Sequence, residues 1–106
     1  MTPVLSHEVA EALAQGRPVV ALESTIFSHL GLPSPSNAQA LQQCLAAIRQ
    51  AGCVPAVTAV IDGVVRLGID ESEHQRILGA ARKVAERDIA VAVAQRWEFG
   101  ATTVSA

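Results

Sequence analysis

Apolar positions along the chain fall into two patterns, and their alternation predicts the elements. Val9 and Leu13, and then Leu41, Cys44, Leu45 and Ile48, recur at the spacing of one helical face. Residues 19–22 and 54–61 are instead continuous apolar runs, the second broken only by Thr58. Such runs read as strands covered on both faces, as in a parallel sheet sandwiched by helices. Polar punctuation sets the boundaries. Ser6 can cap a helix over about 7–15, and Gly16 stops it. Ser34-Pro35 offers a hydroxyl cap and then a proline at the first helical position, and Gly52 closes that second helix.

Asp62-Gly63, between Val60-Ile61 and Val64-Val65, is a two-residue hairpin signal, with Gly68 closing the second arm. Asp70 and Glu73 have capping-box spacing and predict a helix over about 71–81 with Ile77, Leu78 and Ala81 inward. Asp88 can cap a further helix through about Gln95, with Ile89, Ala92 and Val93 on one side. Residues 100–105 look like the opening of another element, yet the sequence stops at Ala106 without a cap or polar tail. The expected fold class is α/β: a mostly parallel sheet with flanking helices and one antiparallel hairpin, in an incomplete domain. No repeat, linker or low-complexity tract divides residues 1–106.

Composition narrows the function classes. Half the residues are apolar and 17% are charged, which fits a well-buried globular chain rather than a disordered one. Net charge is −2 and the basic residues are scattered without aromatic interleaving, which disfavours nucleic acid as a partner. One or two cations could still hold a small anionic substrate. Cys44 and Cys53 have neither CxxC spacing nor a histidine cluster, and both read as reduced packing residues. No signal peptide is visible and no apolar run approaches the ~20 residues of a membrane span, so a cytoplasmic location away from membranes is expected.

The candidate chemistry gathers after the first strand, in Glu23-Ser24-Thr25-Ile26-Phe27-Ser28-His29. In open α/β sheets ligands bind beyond the carboxyl ends of strands. A carboxyl following four apolar residues is partly desolvated, which suits Glu23 to general acid work; a structural carboxylate capping the next loop is the alternative. Ser24, Thr25 and Ser28 lack a nucleophile elbow and read as loop hydrogen-bonders, with His29 a supporting residue. Lys83 is the only lysine among eight basic residues, so it can mark a place where a compact point charge is needed, or simply be a surface cation. Asp62 is explained by its turn, and Glu86, Arg87 and Asp88 by a helix start. Thr102 and Thr103 lie in a small-residue segment where backbone can approach a ligand. No phosphate-binding glycine motif or zinc spacing is present.

Several segments together carry more. Ala21-Leu22-Glu23-Ser24-Thr25-Ile26, Ser28-His29, Gly31-Leu32-Pro33 with Pro35 and Asn37, Val54-Pro55-Ala56, Asp62-Gly63, Lys83-Val84 to Arg87-Asp88, and Gly100-Ala101-Thr102-Thr103-Val104 resemble the pseudouridine-5′-phosphate glycosidases, in order and spacing, from about Pro18 to the end. The resemblance implies reversible cleavage of the C–C glycosidic bond of pseudouridine 5′-phosphate to uracil and ribose 5-phosphate by a homotrimeric enzyme using a divalent metal, often manganese. It makes Glu23 the catalytic proton donor and Lys83 a substrate-binding residue. It also makes Val104 a substrate contact through its main chain. Family members are roughly three times longer, and their nucleophilic lysine and metal-binding aspartate lie beyond this segment. No metal ligand is therefore expected in this chain, which would be the amino-terminal part of a single α/β glycosidase domain, inactive alone. Leu30 separates His29 from Gly31, where many members have His-Gly directly, and this puts the place of His29 in question. The alternative is a non-catalytic α/β module that binds a phosphate ligand or a partner chain.

Overall fold

The computed structural model describes residues 2–106. Eight-residue β3 (Val54–Ile61) is its spine. Along its first half it pairs in parallel with β2 (Val19–Leu22), and along its second half it pairs antiparallel with β4 (Val64–Leu67) on one edge and β6 (Phe99–Thr102) on the other. Outer strands β1 (Val4–Leu5) and β5 (Arg82–Val84) add in parallel to β4 and β6. Three of the five pairings are therefore parallel, in a mixed α/β sheet. The expected hairpin is present: Asp62 and Gly63 both adopt positive φ, as the tight turn requires, and Ile61 faces Val64.

The pleat of β3 divides the core. Val57, Ala59 and Ile61 point to one face and pack with Phe27, Leu41, Ile69, Ile77, Phe99 and Ala101, under α2 (Ser36–Gln50) and α3 (His74–Ile77). Val54, Ala56, Thr58 and Val60 point to the other. There Val54 and Ala56 pack with Val9 and Ala12 of α1 (His7–Ala14), while Val60 packs with Val84 and with Ala92 of α4 (Ile89–Ala94). Thr58 falls between these two small clusters.

Ser6 caps α1 as expected, accepting from the Val9 N–H at 3.2 Å. The buried stripe of α1 is Val9 and Ala12, however, and Leu13 is 51% exposed because the helix turns its i, i+3 face to the sheet. Strand β2 has the expected bounds but is not covered on both faces: its outer edge is unpaired and Val20 is 39% exposed. Helix α2 begins at Ser36 with Pro35 just outside it, and no Ser34 cap forms. Its inward side is Asn37 and Leu41, with Cys44 and Leu45 packed against the core. Both cysteines are free, and Cys53 stays outside the core clusters.

The largest difference lies at 71–81. The Glu73 carboxylate does accept the Asp70 N–H at 3.3 Å, but a 3-10 turn (Glu71–Glu73) and four-residue α3 replace the long helix. Beyond it the carbonyls face other elements: Leu78 O accepts from Asn37 Nδ2 of α2 at 3.1 Å and Gly79 O from the His29 N–H in the loop after β2 at 2.9 Å. The chain then runs extended as β5. Asp88 turns back to accept the Ala85 N–H at 3.0 Å and does not cap α4 with its side chain. The segment expected to open a new element is already strand β6, antiparallel to β3. Gly100 is required there, because a Cβ would lie 2.6 Å from Val84 Cγ2.

Candidate active site

Strands β2 and β6 approach along the same edge of β3 from opposite directions, and their carboxyl ends meet beside Thr58. The join is made by hydroxyls, one from each strand or its first following residues. Ser24 N–H donates to Thr102 O at 3.2 Å, and Thr102 N–H donates to Ser24 Oγ at 3.0 Å. Thr58 Oγ1 lies 2.7 Å from Thr102 Oγ1 and donates to Leu22 O at 3.0 Å. Thr25 Oγ1 reaches Thr102 O at 2.8 Å, and Ser28 Oγ donates to Thr25 O at 2.8 Å. Ser24 and Ser28 are fully buried, and each finds a partner, as buried polar groups must. The hydroxyls after β2 are thus loop-builders, as their sequence setting suggested.

Glu23 emerges from this junction. It follows Leu22 on β2 and is partly buried. Alternation along β2 places it with Val19 and Ala21, on the Thr58 side of the sheet. It lines a cavity of about 190 Å³ with Ala21, Leu22, Thr58, Thr103, Val104 and Ala106. A second apolar recess of about 150 Å³, walled by Val60, Val65, Leu67 and Ile89, shares Thr58 and Ala106 with it. Thr58 therefore lies at the boundary of both. No hydrogen bond or ion pair among the described residues engages the Glu23 carboxyl, so it is free to meet a ligand.

Of the residues singled out in the sequence, Glu23 and Val104 are brought together. The Val104 side chain is 89% exposed. Lys83 does not line the cavity: on β5 it stands opposite Ala101, whose side chain belongs to the other face, and it is exposed. His29 is exposed, and its main-chain N–H holds Gly79. Thr58 is the residue that sequence reasoning passed over. Its signal was present, as the one hydroxyl in an eight-residue apolar strand, but its importance depends on register. No group of three His, Cys, Asp or Glu side chains that could hold a metal ion occurs among the described residues, and no helix there is long and apolar enough to cross a membrane.

Charge pairs lie away from the cavity. Arg66 and Glu73 form a two-bond ion pair, both at 2.9 Å, and Arg49 forms another with Glu8 at 2.6 and 3.0 Å. In each, the guanidinium holds the carboxyl below the ordinary carboxylate range.

The topology defines a mixed α/β domain with an acid-bearing cavity at its converging strand ends. The chain belongs to the family described as Indigoidine synthase A like protein, whose model matches residues 8–106. A curated pseudouridine-5′-phosphate glycosidase of Streptomyces griseus is 50% identical over 106 residues, covering 98% of this chain and 32% of that protein. One from Arabidopsis thaliana is 49% identical over 105 residues, 96% of this chain and 31% of its own length. The crystal structure of the prealnumycin C-glycosynthase AlnA in complex with ribulose 5-phosphate superposes with a TM-score of 0.78 at 36% identity, over 99% of this chain and 33% of that one. An indigoidine synthase A-like protein from Thermotoga maritima gives 0.75 at 33% identity, over 86% of this chain and 31% of its own. The chain thus spans about a third of the length of the curated relatives it matches.

Proposed function

We propose that this chain forms the acid-bearing part of a site that makes and breaks the C–C glycosidic bond of pseudouridine 5′-phosphate, releasing uracil and ribose 5-phosphate. The observation that carries it is the placement of Glu23: partly buried, free of protein partners, and at the rim of a cavity where β2 and β6 end. Relatives named for this activity, and a C-glycosynthase relative crystallised with a sugar phosphate, support the substrate class.

A C–C glycosidic bond has no heteroatom leaving group, so a proton must be delivered to carbon as the bond breaks. Glu23 is the donor in the cleavage direction and the acceptor in reverse. The main chain at Val104 supplies hydrogen-bonding groups at the rim. The family resemblance assigns Lys83, exposed on the outer strand, to the substrate's phosphate as a point charge; this chain by itself does not bring it to the Glu23 cavity.

In the relatives about two thirds of the length lies outside the part this chain matches, and the family resemblance assigns the nucleophilic lysine to that part. The full-length enzyme is assigned to the cytoplasm as a homotrimer. The divalent metal implied by the family resemblance is assigned to an aspartate beyond these residues, so no step here is routed through it.

The test is a uracil-release assay on a full-length protein bearing this chain as its amino-terminal third, with pseudouridine 5′-phosphate and, separately, pseudouridine as substrate. Turnover of the phosphorylated substrate is expected. Absence of uracil release with both would leave binding of a phosphate ligand or partner chain as the better account.

A further inference from the structure

We propose that the hydroxyl chain Ser24–Thr102–Thr58 is the positioning device for the Glu23 carboxyl, with Thr58 as its decisive member. This rests on the acid role of Glu23 and adds to it the means by which an otherwise unpartnered carboxyl is held in place.

Short polar contacts define the chain. Each hydroxyl has one proton to give. The Thr58 proton goes to Leu22 O at 3.0 Å. Thr102 Oγ1 donates to Thr58 O at 2.7 Å and also lies 2.7 Å from Thr58 Oγ1, so the two threonines are locked together whichever hydroxyl donates across that contact. Ser24 Oγ lies 3.3 Å from Thr102 Oγ1 and accepts from Thr102 N–H at 3.0 Å. The contacts therefore link Ser24, Thr102 on β6, Thr58 on β3 and the Leu22 carbonyl in one connected set.

Both ends flank Glu23. The Leu22 carbonyl belongs to the peptide that leads into Glu23, and Ser24 is the residue that follows it. Fixing that peptide plane and that serine fixes the backbone of Glu23 from both sides. No side chain among the described residues bonds the carboxyl itself, so the place of the Glu23 backbone sets where the carboxyl can reach. Thr58 also floors the cavity, so the same side chain sets the acid and shapes the space it faces. A valine at 58 would preserve shape and strand preference, yet it would release the Leu22 carbonyl and leave a Thr102 contact unmade.

The experiment compares Thr58→Val, Thr58→Ser, Glu23→Gln and the double variant Glu23→Gln/Thr58→Val in the full-length protein, reading kcat and KM for uracil release from pseudouridine 5′-phosphate. Thr58→Val is expected to lower kcat about 10- to 100-fold with KM changed less than about threefold, the signature of a displaced catalytic group. Thr58→Ser should recover most of kcat. In the Glu23→Gln background, Thr58→Val should change the residual rate less than about twofold, because a residue acting through Glu23 has nothing left to position. An active parent with an unaltered Thr58→Val kcat, or an equal loss in both backgrounds, overturns the positioning role alone. An inactive parent overturns the proposed function and this inference together. If Thr58→Val melts below the assay temperature, Ser24→Ala makes the same comparison from the other end, with the same two results deciding it.

Discussion

The two faces of the sheet are built to different ends. On the α2/α3 side, Phe27, Leu41, Ile61, Ile69, Ile77 and Phe99 form one unbroken cluster. On the α1/α4 side the apolar contacts split into two small groups, and Thr58 with the Glu23 cavity occupies the gap. The same strand serves both. Its odd-numbered positions are all apolar, while its even-numbered positions have a hydroxyl in the middle. Continuous packing on one face supplies the rigidity, and interrupted packing on the other leaves room for a ligand above a fixed floor. Positioning chemistry on a strand end backed by a closed core is also what makes sub-ångström placement of a carboxyl attainable.

If the division is real, substitutions on the closed face should cost stability first. The largest effect is expected for Leu41→Ala, since Leu41 is fully buried: about 2–5 kcal/mol, read from the chemical denaturation midpoint of the full-length protein. Ile89→Ala, at the half-buried lip of the open face, should cost less than about 1.5 kcal/mol. Equal losses at the two sites would erase the comparison.

The Arg66–Glu73 pair, on the closed face, gives a smaller and pH-dependent effect. Glu73→Gln should cost about 1–2 kcal/mol at neutral pH, since the pair is mostly but not fully shielded from solvent. The guanidinium lowers the folded-state Glu73 value below that of the unfolded chain. The pair's contribution is therefore complete above the unfolded carboxyl's range, and it is lost as pH falls through the lower folded value. Denaturation midpoints measured across the acid range should fall less steeply in Glu73→Gln than in the parent. Parallel curves would remove the pair from the account.

The smallest effect concerns the outer strand. Lys83→Ala should raise KM for pseudouridine 5′-phosphate about five- to tenfold with kcat little changed, the pattern of lost uniform binding. Steady-state kinetics unchanged in both constants would end its assignment to the phosphate.

Part of this architecture could be read in the sequence, and the boundary is instructive. Residues 19–22 and 54–61 were legible as strands to the residue, because uninterrupted β-branched and small apolar runs have few other uses, and Asp62-Gly63 announced its hairpin by turn chemistry alone. Glu23 was legible because a carboxylate ending such a run is conspicuous. Strand β5 was not: it is three residues long and two of them are charged, so it has no periodicity to read. The helix expected over 71–81 ends at Ile77, and Leu78 and Gly79 are held instead by Asn37 and His29, contacts made across the fold that no local pattern encodes. Thr58 and Thr102 meet only through the register of β3 against β6, which no local pattern encodes. Nor could the sequence show that Val20 stays exposed on an edge strand.

The central claim is that the open face does chemistry through Glu23 while the closed face holds the fold. Uracil release from pseudouridine 5′-phosphate by full-length Glu23→Gln, with thermal unfolding recorded alongside, tests it most directly. The expected result is a kcat lowered about 10²- to 10⁴-fold, with substrate binding and melting temperature near the parent's. A Glu23→Gln protein that turns over at close to the parental rate would contradict it.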